Sequence, residues 1–252
     1  MSRLELLWLT SFSTLPLLLP QAVYARLRTL RLPEAGPPWQ GVCGDANRRL
    51  RLAVVGDSTV AGVGAGDQRL ALAGQTAAAL AGFGDHRVQW HAFGRNGATV
   101  ADIQREFVEP AVVFGPDIVL LSVGVNDTTA LTPRQRWRER LVAVADAFHA
   151  AGIGIVAVSR LPPMHLFSAL PQPLRAFLGM RARILDHDLQ RLAARHRCLE
   201  YLDYRFEPRP EYLAEDGYHP SAAGCAVWGQ GLAAGIRERL NPVSPDRVVR
   251  AN

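Results

Sequence analysis

Three polar residues in this 252-residue chain have types and spacings suited to nucleophilic catalysis. Ser58 follows a short apolar run and comes directly after Gly56 and Asp57. Asp216 precedes His219 by three residues, so its carboxylate can reach one ring nitrogen while the other nitrogen faces a serine. A serine hydroxyl becomes a nucleophile when a base takes its proton and a third group orients that base. The pattern therefore indicates attack on a carbonyl group by Ser58.

An oxyanion formed at an attacked carbonyl needs hydrogen-bond donors. Asn126 can offer its side-chain amide, and Gly97 can offer a backbone N–H with no side chain in the way. Gly94 lies close enough to Gly97 to take the same role. Each of these candidate residues also has a purely structural explanation when it is taken alone. Ser and Asp often cap helices, and Asn and Gly favour turns. His165, in a Pro-rich stretch, is the rival candidate for the base.

The elements that must position these residues alternate between strands and helices. Strands are predicted at 52–55, 87–93, 116–123, 154–159 and 198–202. Each candidate residue comes just after a predicted strand or just before the last predicted helix. The carboxyl ends of parallel strands meet at one edge of a sheet, where ligands bind in open α/β folds. The sequence thus predicts an α/β fold with five parallel strands and helices on both faces.

Four blocks of the sequence, taken in order, resemble the SGNH (GDSL-type) hydrolase family. They fall within residues 50–240 and consist of Gly56-Asp57-Ser58, Gly97, Gly124-x-Asn126-Asp127 and Asp216-x-x-His219. The resemblance implies a flavodoxin-like three-layer α/β/α sandwich that needs neither a metal nor an organic cofactor. Thr59 stands where the motif name has leucine, a difference that leaves the chemistry unaffected.

The same resemblance implies a role for each matching residue. Ser58 is the implied nucleophile, His219 the base and Asp216 its partner. The implied oxyanion hole combines the backbone N–H groups of Ser58 and Gly97 with the side chain of Asn126. Asp57 and Asp127, which belong to the same blocks, are interpreted as structural.

The family resemblance implies a serine esterase of the lysophospholipase or arylesterase type, acting on a small-molecule ester through an acyl-enzyme. A long apolar stretch at 161–178 follows the fourth predicted strand, and such loops are often functional. We interpret it as the lining of an acyl pocket for lipid-like esters, with cover over the core as the alternative. An acyltransferase and a binding module without catalysis remain open as other functions. The candidate pocket residues are Met164, His165, Leu166 and Phe167.

The amino-terminal segment is apolar and is followed by arginines. Residues 6–24 hold no charged side chain, whereas Arg26, Arg28 and Arg31 come directly afterwards. A signal peptide, a marginal transmembrane span, an interfacial helix and a helix packed on the core are four interpretations. We expect contact with a membrane surface through residues 4–25. A membrane-associated, periplasmic or secreted protein is favoured over one free in the cytoplasm.

Composition places the chain among ordinary globular proteins, with 48% hydrophobic and 20% charged residues. The net charge of +5 comes from scattered arginines without a nucleic-acid-binding motif, so we expect no nucleic-acid partner. The three cysteines are far apart and form neither a disulfide framework nor a zinc motif. Four segments are predicted: an apolar amino-terminal segment at 1–31, a linker at 32–47, a hydrolase domain at 48–241 and a tail at 242–252.

Overall fold

A six-stranded sheet lies at the centre of the computed structural model, which describes residues 3–240. The tail predicted at 242–252 lies outside the described residues. The strand order is β1-β3-β2-β4-β5-β6, with β1 antiparallel to β3 and every other neighbouring pair parallel. The strands are β1 (Gln40–Cys43), β2 (Arg49–Gly56), β3 (Arg87–Gly94), β4 (Ile118–Ser122), β5 (Ile155–Ser159) and β6 (Leu199–Leu202).

Helices connect the strands and cover both faces of the sheet. Short 3-10 helices occupy Ser11–Thr14, Met164–Leu166 and Pro210–Tyr212. The α-helices are α1 (Arg3–Thr10), α2 (Leu15–Arg28), α3 (Leu72–Gly82), α4 (Val100–Glu106), α5 (Val108–Phe114), α6 (Val125–Thr129), α7 (Arg134–Ala150), α8 (Leu174–Ala193) and α9 (Ala222–Leu240).

The central strands are buried on both faces because successive side chains point to opposite sides of a strand. In β2, Leu52 and Val54 join the core under α3 and α9. Ala53 and Val55 join the opposite core, which is covered by α4, α5, α7 and α8. The predicted three-layer α/β/α sandwich is confirmed.

The sheet has six strands and not the five that were predicted. The additional strand, β1, forms within residues 32–47, which the sequence predicted as a linker. It lies at the edge of the sheet, where Gly41 is paired with Trp90. The N–H of Ala92 extends this pairing by donating to the carbonyl of Trp39 at 2.7 Å. A Pro- and Gly-rich stretch has little strand propensity of its own, so the pairing with β3 and not the local sequence makes this strand.

The amino-terminal segment forms α1 and α2, which pack on α8. The ring of Trp8 stacks on Phe177 with a centroid distance of 5.6 Å. Leu18 and Ala25 are buried, and the side-chain oxygen of Gln21 accepts a hydrogen bond from the first residue of α8. Within residues 3–240 no single helix is long and apolar enough to cross a membrane. Segments 3–14 and 16–28 have the length and composition of a membrane span only when they are counted together, and the chain bends by 84° between them.

Candidate active site

Ser58 lies in a tight turn directly after β2, at the carboxyl edge of the sheet. The chain reverses there because the N–H of Ala61 donates to the carbonyl of Asp57 at 2.9 Å. Gly56 is required just before this turn, since an added Cβ would lie 2.3 Å from the carbonyl oxygen of Ser122 in β4. Ser58 is only 7% exposed. Its hydroxyl makes no hydrogen bond to any residue in the described part of the chain, which leaves it available to a base.

Asp216 and His219 form a closely hydrogen-bonded pair in the loop before α9. His219 Nδ1 lies 2.5 Å from Asp216 Oδ2, while Asp216 Oδ1 accepts the backbone N–H groups of Tyr218 and His219 at 2.9 and 3.0 Å. Burial opposes the charged carboxylate, but the hydrogen bonds from His219 and Tyr218 outweigh it and lower the pKa of Asp216. The ionised carboxylate therefore holds the imidazole through Nδ1 and leaves Nε2 as the reactive nitrogen.

The loop that carries His219 packs against the turn that follows Ser58. A Cβ placed on Gly64 would lie 3.4 Å from the Cβ of His219. Ser58 and His219 both line one narrow cleft with a cavity volume of about 20 Å³. No direct hydrogen bond joins their side chains within the described residues, and such contacts are often loose before a substrate is bound. The structure thus brings Ser58, Asp216 and His219 to the same edge of the sheet.

A larger cavity of about 700 Å³ lies between α7 and α8, away from this cleft. Six of its nine lining residues are charged, such as Arg138, Asp188 and Arg195, and the other three are apolar. Its lining contains no serine, cysteine or histidine that could act as a nucleophile or base. The volume of a cavity therefore does not identify the reactive site. We assign the reactive site to the narrow cleft at Ser58.

Asn126 stands at the start of α6, just after β4. Its Nδ2 donates to the carbonyl of Ala98 at 3.0 Å and lies 3.5 Å from Asp57 Oδ2. The backbone N–H groups of Ser58 and Gly97 donate to no acceptor within residues 3–240. Three potential donors to an oxyanion are therefore contributed by the loops after β2, β3 and β4.

The structure also distinguishes between the two candidate glycines, Gly94 and Gly97. Gly94 is the last residue of β3 and pairs with Gly56 across the sheet. Gly97 lies beyond the strand with φ of +79°, a conformation that favours glycine. It directly precedes Ala98, the residue that accepts the hydrogen bond of Asn126. Of the two, Gly97 is the one placed beside the other candidate donors.

Two buried carboxyl groups accept backbone N–H groups in the loops of the site. Asp127 Oδ2 accepts the N–H of Val100 in the first turn of α4 at 3.0 Å. Asp57 Oδ1 accepts the N–H of Thr59 at 3.2 Å. Burial raises the pKa of Asp57 to about 6, although the Thr59 N–H and His219 oppose the shift. Both contacts lie within the protein framework, and the structural role of these two residues stays a prediction.

The Pro-rich loop after β5 contributes less to the cleft than predicted. Of the four candidate pocket residues, only Phe167 lines it. Met164 is fully buried in the core, and Leu166 is half exposed. His165 packs on α8, where a Cβ on Gly179 would lie 2.5 Å from the His165 Cβ. His165 does not line the cleft that Ser58 and His219 share, so the structure does not support it as the base.

Several residues that the sequence analysis did not select complete the cleft. The rings of Phe206 and Trp228 stack with a centroid distance of 5.0 Å, and Tyr218 packs edge-on against Phe167 at 5.0 Å. Tyr218 could have been predicted as a cleft residue from the sequence, because it lies between Asp216 and His219. No sequence pattern identifies Phe206 and Trp228 as cleft residues, because one lies in a loop and the other in a helix that is distant in sequence. The remaining apolar lining residues are Val125, Pro162 and Pro220.

Comparisons with known proteins identify the family to which this chain belongs. The sequence profile of the GDSL-like Lipase/Acylhydrolase family matches residues 54–227, more than half of the chain. The curated GDSL-like esterase Rv1075c of Mycobacterium tuberculosis is 28% identical over 243 residues, covering 89% of this chain and 77% of that protein. Within residues 3–240, no group of three or more His, Cys, Asp or Glu side chains is placed to hold a metal ion.

Solved structures share the fold at low sequence identity. The psychrotrophic esterase EstA from Pseudoalteromonas sp., determined in a form inhibited by monoethylphosphonate, superposes with a TM-score of 0.54 at 16% identity, covering 76% of this chain and 98% of that one. The family 3 carbohydrate esterase of Clostridium thermocellum superposes with a TM-score of 0.55 at 16% identity, covering 76% and 94% of the two chains. At these identities the comparison establishes the common fold.

Proposed function

Because this chain belongs to the GDSL-like lipase/acylhydrolase family and is a carboxylic ester hydrolase, we propose that Ser58, His219 and Asp216 are its catalytic triad. The observation that carries the proposal is the Asp216–His219 contact of 2.5 Å at the cleft that Ser58 also lines. The family supports ester hydrolysis by serine, and the contact supports these particular residues. Asp216 orients the imidazole without giving up its own charge.

The proposed reaction proceeds through an acyl-enzyme. Ser58 Oγ attacks the ester carbonyl carbon while its proton passes to His219 Nε2. The tetrahedral intermediate collapses, and the leaving alkoxide takes that proton and departs as the alcohol. Water then attacks the acyl-serine ester and gives its proton to His219. Collapse of the second intermediate returns the proton to Ser58 and releases the carboxylic acid.

The oxyanion hole proposed for both intermediates has three donors. The unbonded backbone N–H groups of Ser58 and Gly97 supply two. Asn126 supplies the third, because the hydrogen bond to Ala98 engages one hydrogen of Nδ2 and leaves the other in a long contact with Asp57. The oxyanion would replace the long contact with Asp57, while the hydrogen bond to Ala98 keeps the amide in place.

The size of the cleft supports esters with a short acyl group. Aromatic rings of Phe167, Phe206 and Trp228 close around a cavity of about 20 Å³. A space of this size holds little more than one water molecule, so the smallest acyl groups need the least rearrangement of these rings and the long acyl chain of a lysophospholipid needs the most. We therefore propose a short-acyl esterase in place of the lipid-like substrate expected from the sequence.

The test is hydrolysis of p-nitrophenyl acetate, butyrate, octanoate and palmitate by the wild type and by Ser58→Ala. We expect turnover of the two shorter esters and its loss in the variant, with fluorophosphonate labelling lost in parallel. Ser168→Ala is the matched control, since Ser168 is an exposed serine in the loop beside the cleft. Labelling without hydrolysis, together with ester formation when an alcohol is added, would identify an acyltransferase. No labelling and no turnover in the wild type would overturn the proposal.

A further inference from the structure

Helix α2 carries apolar residues on two faces. One face packs against the domain, and the other is exposed. Leu18 and Ala25 are buried against the domain. On the opposite side, Leu19, Val23 and Leu27 follow one another at four-residue spacing and so form one stripe. Their exposed fractions are 62%, 58% and 78%. A surface helix of a soluble domain normally carries polar residues on its outer face, so this stripe needs a partner.

Helix α1 also carries exposed apolar side chains. Leu6, Leu7 and Leu9 are each about half exposed, whereas Trp8 packs on α8. Among the described residues, fifteen large hydrophobic side chains are exposed, and nine of them lie between Leu6 and Leu30. Single exposed apolar residues scattered over a surface are normal. A cluster of this size in one short segment indicates an interaction surface. We call the outward-facing side of residues 3–31 the amino-terminal apolar face.

Positive charge borders this face. Arg3, Arg26, Arg28 and Arg31 are all exposed. Arg26 and Arg28 lie about 100° to either side of Leu27 on the helix. Glu5 is the one acidic residue between positions 3 and 31, and it is directed toward the domain, where it pairs with Arg134. The outward charge is therefore positive, which complements an anionic surface.

We propose that the amino-terminal apolar face docks on a bilayer that contains anionic phospholipids. The apolar stripe enters the boundary between headgroups and acyl chains, and the arginines contact the phosphates. Both helices lie along the membrane and do not cross it, because their inner faces are already occupied by the domain. Crossing would require the loss of the Glu5–Arg134 ion pair and of the Trp8–Phe177 stacking.

Vesicle co-sedimentation with the full-length protein tests this directly, independently of esterase activity. Intact mass first establishes that residues 1–31 are retained. We expect binding to vesicles of phosphatidylcholine with one-third phosphatidylglycerol, and at least tenfold weaker binding to pure phosphatidylcholine. Because exposed charges are screened by salt, binding should also weaken in about 500 mM NaCl.

Variants separate the apolar and electrostatic contributions. The triple variant Leu19→Glu, Val23→Glu, Leu27→Glu is expected to weaken binding by about a hundredfold or more, because each change removes a buried apolar group and adds a negative charge. Val113→Glu is the matched control, since Val113 is 80% exposed on α5 and outside the face. Each of Arg26→Gln and Arg28→Gln should weaken binding roughly fivefold.

Folding is checked by thermal melting and by turnover of p-nitrophenyl acetate, both of which the triple variant should retain. Binding of the folded triple variant equal to that of the wild type would overturn the proposal. So would a wild type that stays in the supernatant with anionic vesicles. Light scattering that shows a dimer in the wild type and a monomer in the triple variant, without vesicle binding, would assign the face to a second copy of the chain instead.

Discussion

The side-chain amide of Asn126 donates a 3.0 Å hydrogen bond to the carbonyl of Ala98. Ala98 follows Gly97 in the loop after β3, whereas Asn126 lies in the first turn of α6, after β4. The contact therefore fixes two separate loops relative to each other and orients the remaining hydrogen of the amide. Orientation before the substrate arrives is what an oxyanion donor requires.

Asn126→Ala should lower kcat by about 10²–10³-fold with little change in KM, because the lost hydrogen bond forms chiefly in the transition state. Steady-state kinetics with p-nitrophenyl acetate measure both constants. Asn96→Ala, an exposed asparagine in the loop after β3, is the control and should behave as the wild type. A raised KM with unchanged kcat would instead place Asn126 in substrate binding.

Asp216→Asn should lower kcat by about 10⁴-fold while the protein stays folded, because the amide no longer holds the reactive tautomer of His219. Glu215→Gln removes a neighbouring exposed carboxylate and should leave turnover unchanged. Fluorophosphonate labelling of Ser58 should slow in the Asp216 variant as well. Equal labelling rates in the wild type and both variants would show that Asp216 does not act through His219.

The buried carboxyl of Asp57 should make stability depend on pH. Its pKa is raised by burial to about 6, so between roughly pH 4 and 6 the folded state binds more protons than the unfolded state. The free energy of unfolding should therefore fall as pH rises through this window, by roughly 2–3 kcal/mol for this group.

Urea unfolding at several pH values measures this effect as a difference between the wild type and Asp57→Asn. Subtraction is needed because burial also raises the pKa values of Asp127 and Asp186. Asp45→Asn, at an exposed position, should leave the profile as it is. If Asp57→Asn shows the same slope as the wild type, Asp57 is not the titrating group.

Phe167→Ala should shift the preference of the enzyme toward longer acyl chains, because removing the ring opens one wall of the cleft. We expect the ratio of kcat/KM for octanoate to that for acetate to rise by about tenfold or more. The same change should cost about 3 kcal/mol of stability, since Phe167 is almost fully buried. Leu166→Ala, at the half-exposed neighbouring position, should leave the ratio unchanged; an equal rise in both variants would point to a loosened loop.

Features that depend on short-range interactions were predictable from the sequence. Asp216 reaches His219 because only two residues separate them. Thr99 is the N-cap of α4, since its side chain accepts the N–H of Asp102 and the Asp102 carboxylate accepts the N–H of Thr99. The alternation of strands and helices follows from the periodicity of apolar residues, and the sequence alone therefore determined the fold class and the edge at which Ser58 lies.

Only the tertiary structure decided features that join distant parts of the chain. Strand β1 exists because β3 offers it a pairing edge, although its own sequence has weak strand propensity. Phe206 and Trp228 narrow the cleft because a loop and α9 pack together, while Met164 turns into the core. Packing between distant elements also determines which face of α2 the domain covers, and hence which apolar side chains remain exposed. No local pattern specifies these choices, because each depends on surfaces contributed by separate segments.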